Sequence, residues 1–587
     1  MSYTSREVYE FICQQTSDPI IEWRTCDVSG TEFPIFQSDK DFLDKISPSF
    51  AGQKFIIPLP TICPEERERR RLLFRNERKL YRRKCSASGK DIISNYSSDK
   101  SYKIYDKEYR WSDNRDPLHF GRDWLWESSF SDTFRLLYDA VPRPSSILVS
   151  SLGSDYNNHA GYLKNCYMCC DVWWIEDSMY ISRSYYDKNS LDLTYTGNCE
   201  NCYQLVESFE CTSCTYSLLL SKCYDCHRTY ACQWCSSCFL CSNLTNKSYC
   251  IYNKQYTKEQ YKQIIQELIT EHNTKWFQQQ YDILIHNALY SACTNINCEN
   301  SVGNYLKNCA HSILSFSVQD SEYMRYCNGE SGGQYIMDDN FSWWQPIGSA
   351  QYNYMTIWCE SSRHLLFCFS CWQWCSDLLY CDFCHSCSYC FWCIWLRNKS
   401  YCIFNKQYTQ EDYEIQVAKI IAHMQSSGER WEFFHPSLSP FGYNETVAHE
   451  YYPLSPSEAW TRGYKRQINN YDPIIPVWVD TLCKKDLSDR ERSMLRETDD
   501  ILKKIIICES SGRPFRVIRQ ELEYYRIHHL PLPSNHPDIR HEQRNTLRPW
   551  KQLFLRNCIA CGTTMLSVYE TEEKIYCESC YQKEVFG

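Results

Sequence analysis

From Leu163 to Cys250 the hydrophobic and polar positions recur every twelve residues. One column holds Cys166, Ser178, Ser190, Cys202, Cys214, Cys226, Cys238 and Cys250, and a second, three places earlier, holds Cys199, Cys211, Cys223 and Cys235. A fixed period over many rows predicts a solenoid whose inward side chains stack on the coil below. Small Cys and Ser side chains belong inside such a stack, while Tyr167, Tyr203, Phe239 and Ile251, one place later, turn to another face. A twelve-residue row suits strands of two or three residues better than helices. Two geometries fit it: a narrow right-handed β-helix of twelve-residue coils, or a flattened coil of two rows.

The run NKSYCIYNKQYT ends this pattern at Thr257. Thr257 and Gln260 form a capping-box pair, and Tyr261, Ile264, Ile265, Leu268 and Ile269 give the apolar face of a helix. The arrangement then returns. GYLKNC, ending at Cys166, reappears as NYLKNC, ending at Cys309, and a second NKQYT run leads to a helix at Thr409. The offset is 143 at the start and 152 at the end, which predicts a net insertion of nine near residues 342–355. The expected chain is mainly β with helices: two parallel β-solenoids, 150–256 and 300–408, each followed by helix (257–292 and 409–424). An N-terminal region of degenerate zinc-ribbon-like modules, 1–140, precedes them; an extended strap, 425–500, a degenerate knuckle module, 505–545, and a zinc ribbon, 546–587, follow.

A chain of 587 residues exceeds one core, and about 150 residues per domain predicts three to five units. No stretch has the ~18 apolar residues that cross a bilayer, and the N-terminus lacks the regions of a signal peptide. The expectation is a cytoplasmic protein without a membrane. In a reducing compartment the 38 cysteines read as metal ligands or small buried hydrophobes rather than disulfides. Twenty-eight lie within residues 166–402 at the solenoid spacing. Their many CxxC pairs read as a packed thiol ladder, because Ser178 and Ser190 occupy the same column without ligand strength; metal shared by several pairs and thiol redox chemistry are the weaker alternatives.

Most of the other cysteines mark a two-part module placed at both ends. Cys26, Cys63 and Cys85 recur as Cys508, His536 and Cys558; 22 positions separate Cys63 from Cys85 and His536 from Cys558, and Arg67, Arg71 and Arg75 match Arg540, Arg544 and Arg548. Only the last part keeps a full ligand set. Cys558, Cys561, Cys577 and Cys580 are spaced as two CxxC knuckles fifteen residues apart, the pattern of a zinc ribbon with one tetrahedral Zn²⁺. The matching places of the first copy are Cys85, Ser88, Asp106 and Tyr109. Cys26, Cys63, Cys85, Cys508 and His536 are therefore vestigial metal positions, with a mixed Cys508–His536 site as the exception to watch for.

Between the first knuckles, on a helix expected over 65–84, Arg67, Arg71, Arg75, Arg78 and Arg82 fall within about 80° of one another. Such a stripe could track a phosphate backbone, or its guanidiniums could pair with carboxylates. The first reading makes the protein a non-enzymatic binder of nucleic acid, RNA or a ribonucleoprotein above all, with Trp343 and Trp344 stacking on unpaired bases. The alternative function, resting on the two solenoids, is a rigid scaffold that docks protein partners. A net charge of −9 confines any nucleic-acid contact to one face. No phosphate-cradling glycine motif, GxSxG or HExxH is present, so the sequence offers no enzyme.

Several runs carry a resemblance: LPTICPEERERRRLLFRNERKLYRRKC, the NKQYT helices, SPFGYNETVAHEYYPLS, FRVIRQELEYYRIHHLPLP and the terminal IYCESCYQKEVF. With them the chain resembles a cysteine-rich, zinc-ribbon-type repeat family of ultra-small candidate-phylum bacteria. The resemblance covers nearly the whole chain. It implies a bacterial cytoplasmic setting and a shared architecture, and no particular activity. Fewer knuckle cysteines stand here than that family's pattern has.

Overall fold

The computed structural model describes residues 3–586 except 113–115, 196–199, 201, 207–210, 341–349, 360–361, 374, 430, 469–474, 476–477, 484–493, 550 and 573. Cys199, Trp343 and Trp344 lie outside the described residues. Strand makes up 29% of the chain and helix 27%, so the fold is mixed α/β rather than mainly β; the end modules and the segments after each repeat supply the helix. There are two compact units, neither continuous in sequence. One comprises Met1–Ser145, Ser291–Gln467 and Trp550–Glu578; the other comprises Ser146–Tyr290, Ile468–Pro549 and Ser579–Gly587.

In the second unit each row of the repeat pairs in parallel with the row twelve residues on, as in Cys170↔Ser182, Cys226↔Cys238 and Cys238↔Cys250. Isolated bridges such as Tyr167↔Met179 and Tyr203↔Thr215 keep the same step. The pairing step is thus twelve residues rather than twenty-four. Within it runs a shorter period. Every third residue, among them Asn165, Met168, Asp171, Trp174 and Asp177, has φ near +55°, and the residue after each (Cys166, Cys169, Val172, Ile175, Ser178) is buried. A coil is therefore four triplets, each turning a corner through the left-handed region. Such a corner costs a non-glycine residue about 1–2 kcal/mol, comparable with the net worth of one hydrogen bond, so only the stacking of coils and their buried core makes the backbone stable.

The stack also explains the Cys and Ser column. The Cys166 thiol reaches the carbonyl oxygen of Lys164 in its own coil and of Ile175 in the next, both at 3.3 Å. Cys202, Cys214, Cys226 and Cys238 repeat this bifurcated contact. Ser178 donates to Glu176 O (2.8 Å) and accepts the backbone N–H of Ser190 (3.0 Å). The position asks for a small side chain with a donor. We therefore expect Cys214→Ser to lie within about 1 kcal/mol of the parent in urea unfolding, and Cys214→Val, which loses the donor and adds a branch, to cost about 1–3 kcal/mol. The reverse order would refute the donor role.

The last coil is closed by the NKQYT run. Lys254–Gln255 turns back antiparallel on Ser248–Ile251, and the Asn253 amide bonds the N–H and carbonyl of Ser242, both at 2.9 Å, standing in for the coil that would come next. This blunts an edge that would otherwise pair with another chain. Asn405 does the same for Ile394 in the first unit. Helices follow directly: Lys258–Glu271, with the Thr257–Gln260 box formed, and Gln410–Ser426, capped by Thr409.

In the first unit the parallel run extends from Val302 to Ile403. Its step is twelve except at its first pair, Val302↔Ile313, which is one residue short, and at two later places. Met337 pairs with Tyr354, five residues beyond the period, and Leu365 with Leu378, one beyond. Following the pairs down from Cys402 leads to Ser312, not Cys309. The structural offset between the runs is therefore 146 at the start, and the NYLKNC match is displaced by one side of the coil. The insertion is six residues rather than nine.

Two further expectations are corrected. The basic helix is Pro64–Leu72 rather than 65–84, and residues Tyr81–Lys84 form a strand. Asn76 causes the break: its side chain accepts the N–H of Lys79 and donates to the carbonyls of Lys79 and Asn95, all at 2.9–3.0 Å, a local alternative to the helical ladder. The described part of the strap is not extended. Its aromatics Trp431, Phe433, Phe434 and Phe441 are buried, and two short helices, Val447–Tyr451 and Pro456–Thr461, follow them in sequence.

Candidate metal centre and arginine clamps

The terminal module is a hairpin, Phe554–Asn557 against Thr564–Ser567, followed by the strand Ile575–Tyr576 and the helix Glu578–Phe586. The hairpin turn brings Cys558 N–H to the Thr563 carbonyl (2.9 Å) and Gly562 N–H to the Cys558 carbonyl (2.8 Å), and Gly562 takes the left-handed φ of +72° that this turn requires. Ile559 N–H bonds the Ile575 carbonyl (3.0 Å), which sets the second knuckle against the first. The Sγ atoms of Cys558, Cys561, Cys577 and Cys580 all lie within 4.8 Å of one another, and those of Cys561 and Cys577 are 3.8 Å apart. A tetrahedral Zn²⁺ with Zn–S bonds of about 2.3 Å needs sulfurs about 3.8 Å apart. The donor set therefore fits zinc, and four thiolates leave no open coordination position. Burial would raise the Cys558 thiol, but backbone N–H groups of Cys577, Cys561 and Ala560 outweigh it and lower it to about 6, toward the thiolate a metal takes.

The same turn occurs at all four knuckles. Cys26 N–H bonds Thr31 O, Cys85 N–H bonds Lys90 O and Cys508 N–H bonds Arg513 O, while Gly30, Gly89 and Gly512 bond back to the cysteine carbonyls. The backbone is kept and the ligands are not. In the module built on Cys85, the Asp106 carboxylate accepts from the Cys85 thiol (3.3 Å), the Ser88 hydroxyl (3.2 Å) and the Tyr109 N–H (2.8 Å). Burial opposes this charge, and the Tyr109, Cys85 and Ser88 hydrogen bonds overcome it, holding the carboxyl below its usual range. Cys26 lies beside Cys63, whose N–H meets its sulfur at 3.3 Å. Cys508 contacts the Asn535 amide oxygen (3.4 Å), whereas His536 turns its ring to cap its own helix at Asp538 N–H (3.1 Å). Among the described residues, Cys558, Cys561, Cys577 and Cys580 form the one group of three or more metal-type ligands, so the Cys508–His536 site is not assembled.

The arginine stripe is turned inward. Arg67, Arg71, Arg75 and Arg78 are 2%, 0%, 0% and 6% exposed; of the five, Arg82 alone reaches the surface, on a strand. Arg67 Nε bonds Asp338 (2.7 Å), Arg71 pairs with the other oxygen (3.2 Å) and bonds Asn340 (2.8 Å), and the Arg67 guanidinium lies 5.0 Å from the Tyr326 ring centre. Arg75 pairs with Glu77 (2.6 Å). Arg67 and Arg71 are spent on the coil, and the four buried arginines cannot present a surface to phosphates.

The second unit holds the same device. Arg540 and Arg544, on the helix Pro537–Thr546, pair with the two oxygens of Asp192 at 2.7 and 2.8 Å; Arg544 also bonds Thr194 (3.3 Å), and Arg540 lies 4.7 Å from the Tyr180 ring centre. The neighbouring helices supply Asp39, which accepts from Tyr326 OH (3.2 Å), and Glu521, which accepts from Tyr180 OH (3.1 Å). Burial raises the Glu521 carboxyl above its ordinary range despite Arg540. Asp192 and Asp338 sit at equivalent left-handed corners, 146 positions apart. Each unit thus has a helix of an end module clamped onto a coil: Pro64–Leu72 on the second coil and Pro537–Thr546 on the first, while the hairpin Phe554–Ser567 belongs to the unit of the second coil. The Arg67–Arg71 and Arg540–Arg544 match was visible in the sequence; the aspartates, hundreds of residues away among many others, carried no signal. No known protein family matches the chain, and no curated protein matches it either.

Proposed function

We propose that the chain is a rigid docking scaffold: two four-sided β-solenoids, each locked by an arginine clamp, with a zinc ribbon as a structural staple at the terminal module. The observation that carries this reading is the burial of Arg67, Arg71, Arg75 and Arg78 in the first unit and of Arg540 and Arg544 in the second. The basic segments hold coils in place, which builds a stiff surface and leaves no guanidinium stripe for phosphates. Solenoids with blunted ends serve as extended platforms for partners. The four-thiolate set supports a staple because a closed tetrahedral site lacks the open position of a catalytic zinc.

Fluorescence anisotropy with labelled single-stranded RNA and duplex DNA, titrated from low to physiological salt, tests this. We expect no saturable binding by the intact chain. Saturable binding of single strands with a log–log salt slope of about −0.7 per phosphate contact would replace the scaffold by a nucleic-acid binder.

A further inference from the structure

We infer that the helix Lys258–Glu271 of the second unit is a docking site for an aromatic, acidic β-hairpin of a partner protein. The inference rests on the scaffold reading and deepens it by placing one contact of the partner.

Counted from the two NKQYT runs, Tyr261, Ile265, Leu268 and Ile269 match Tyr413, Val417, Ile420 and Ile421 of the helix Gln410–Ser426. In the first unit all four are buried, and Ile421 is 0% exposed. In the second, Tyr261 alone is buried; Ile265 and Leu268 are half-buried and Ile269 is 56% exposed. The N-terminal module supplies the cover in the first unit. Its hairpin, Ser49–Phe50 against Gln53–Lys54, turns through Ala51 and Gly52, both with left-handed φ. The strand Ser49–Phe50 packs on the helix Gln410–Ser426, and the Phe50 ring meets the Tyr413 ring edge-on at 6.2 Å. Nearer the helix end, Trp124 and Trp126 meet His423 at 5.7 and 5.6 Å.

The matching module of the second unit lacks that hairpin. Phe36 and Ile518 stand at the N-caps of equivalent helices, Gln37–Ile46 and Arg519–Ile527, and IPLP at 57–60 matches LPLP at 530–533. Between helix and LPLP run the first module holds residues 48–56, nine that the other omits: Cys63 follows Cys26 by 37 positions, His536 follows Cys508 by 28. Both modules clamp their coil at the same height. Asp192 and Asn253 are 61 positions apart; Asp338 and Asn405 are 67 apart, six of them the insertion. The face of Lys258–Glu271 thus stands where a hairpin sits in the other unit, with the apolar residues present and the cover missing.

Size and charge select the occupant. A helix of 14 residues is about 21 Å long and about 10 Å wide, so one face offers roughly 200 Å². A stable dimer interface needs about 800 Å² per partner, so the face fits a hairpin rather than a second copy. On the helical wheel Lys258 and Lys262 flank Ile265 and Ile269, while Glu267 and Glu271 lie on the opposite flank beside Ile264. Neither lysine makes an ion pair among the described residues, and they stand where the first unit has Gln410 and Glu414. An aromatic side chain in the place of Phe50, with carboxylates beside it, meets both the apolar and the basic part of this face.

Isothermal titration calorimetry on the full chain, with a cyclised hairpin peptide of residues 48–56 carrying Gln53→Glu and Lys54→Glu, tests this. We expect a Kd of about 0.1 mM or tighter, binding at least about threefold weaker for the peptide of natural sequence, and none for the acidic peptide with Phe50→Ala. Ile269→Glu in the chain should weaken binding at least about tenfold. Ile269 is exposed, so this variant should melt like the parent. The inference is overturned if the acidic peptide does not bind at about 1 mM, if the natural sequence binds equally, or if Phe50→Ala or Ile269→Glu leaves the affinity unchanged. It is also overturned if sedimentation velocity shows a dimer that Ile269→Glu dissolves, which would give the face to a second copy. The scaffold reading fails separately, by saturable nucleic-acid binding of the intact chain in the anisotropy titration.

Discussion

Replacing Asp338 by Ala should destabilise the unit that contains it by about 3–5 kcal/mol, a loss readable in urea unfolding followed by tryptophan fluorescence. The carboxylate meets both Arg67 and Arg71, and all three side chains are at most 2% exposed. Removing it leaves two guanidiniums out of water without the carboxylate they pair with, and burying unpaired charge is among the costliest single changes a fold can suffer. Asp192→Ala should act in the same direction but more weakly on the other unit, because Glu521 still pairs with Arg540 at 3.2 Å. A compensating variant distinguishes lost pairing from lost packing. If the penalty is electrostatic, adding Arg67→Met and Arg71→Met to Asp338→Ala should recover most of it, because hydrophobic replacements of a whole buried ionic cluster are often neutral or better. A single Asp338→Ala within about 1 kcal/mol of the parent would mean that the guanidiniums reach water, as only exposed pairs are worth so little, and would reopen the stripe as a binding surface.

What could be read from the sequence follows the range of the interactions. The twelve-residue coil was legible because its contacts are between neighbours: the Cys166 thiol bonds Ile175 O, nine residues on, and each corner forms within its own triplet. The helix starts at Thr257 and Thr409 were legible for the same reason, since a cap is a local bond. Register within the second coil was not. The repeated NYLKNC string drew the alignment to Cys309, whereas strand pairing places Ser312 on the equivalent side. The arginine stripe shows the other limit. Spacing alone put five guanidiniums on one face, and nothing in the spacing said whether that face met water or Asp338, more than 260 residues away. At the knuckle built on Cys85 no spacing pointed to the Asp106 carboxylate, which accepts hydrogen bonds from Cys85, Ser88 and Tyr109.

The Asp106 carboxylate frames the expected outcome of metal removal. Elemental analysis of the full chain should find one zinc, and chelation, or Cys577→Ser, should remove it. Structural zinc contributes about 10–16 kcal/mol to the folding of isolated finger peptides. The terminal hairpin has little core of its own, so the strand Thr564–Ser567 should exchange its amides at least about 100-fold faster without metal, equivalent to about 2.8 kcal/mol. Its contacts to the segment that opens the second coil, Ala292 N–H to Tyr576 O and Val568 N–H to Ala292 O, at 2.9 and 3.1 Å, should loosen with it. The coils should keep their protection, since their thiols bond carbonyl oxygens rather than metal. The hairpin built on Cys85 serves as an internal control: its strands Tyr81–Lys84 and Asp91–Ser94 share the turn geometry but are held by Asp106, and chelation should leave them unchanged. Two or more tightly held zinc ions per chain, or loss of protection in the coils on chelation, would move the ladder thiols from hydrogen bonding to metal binding and overturn the division of roles drawn here.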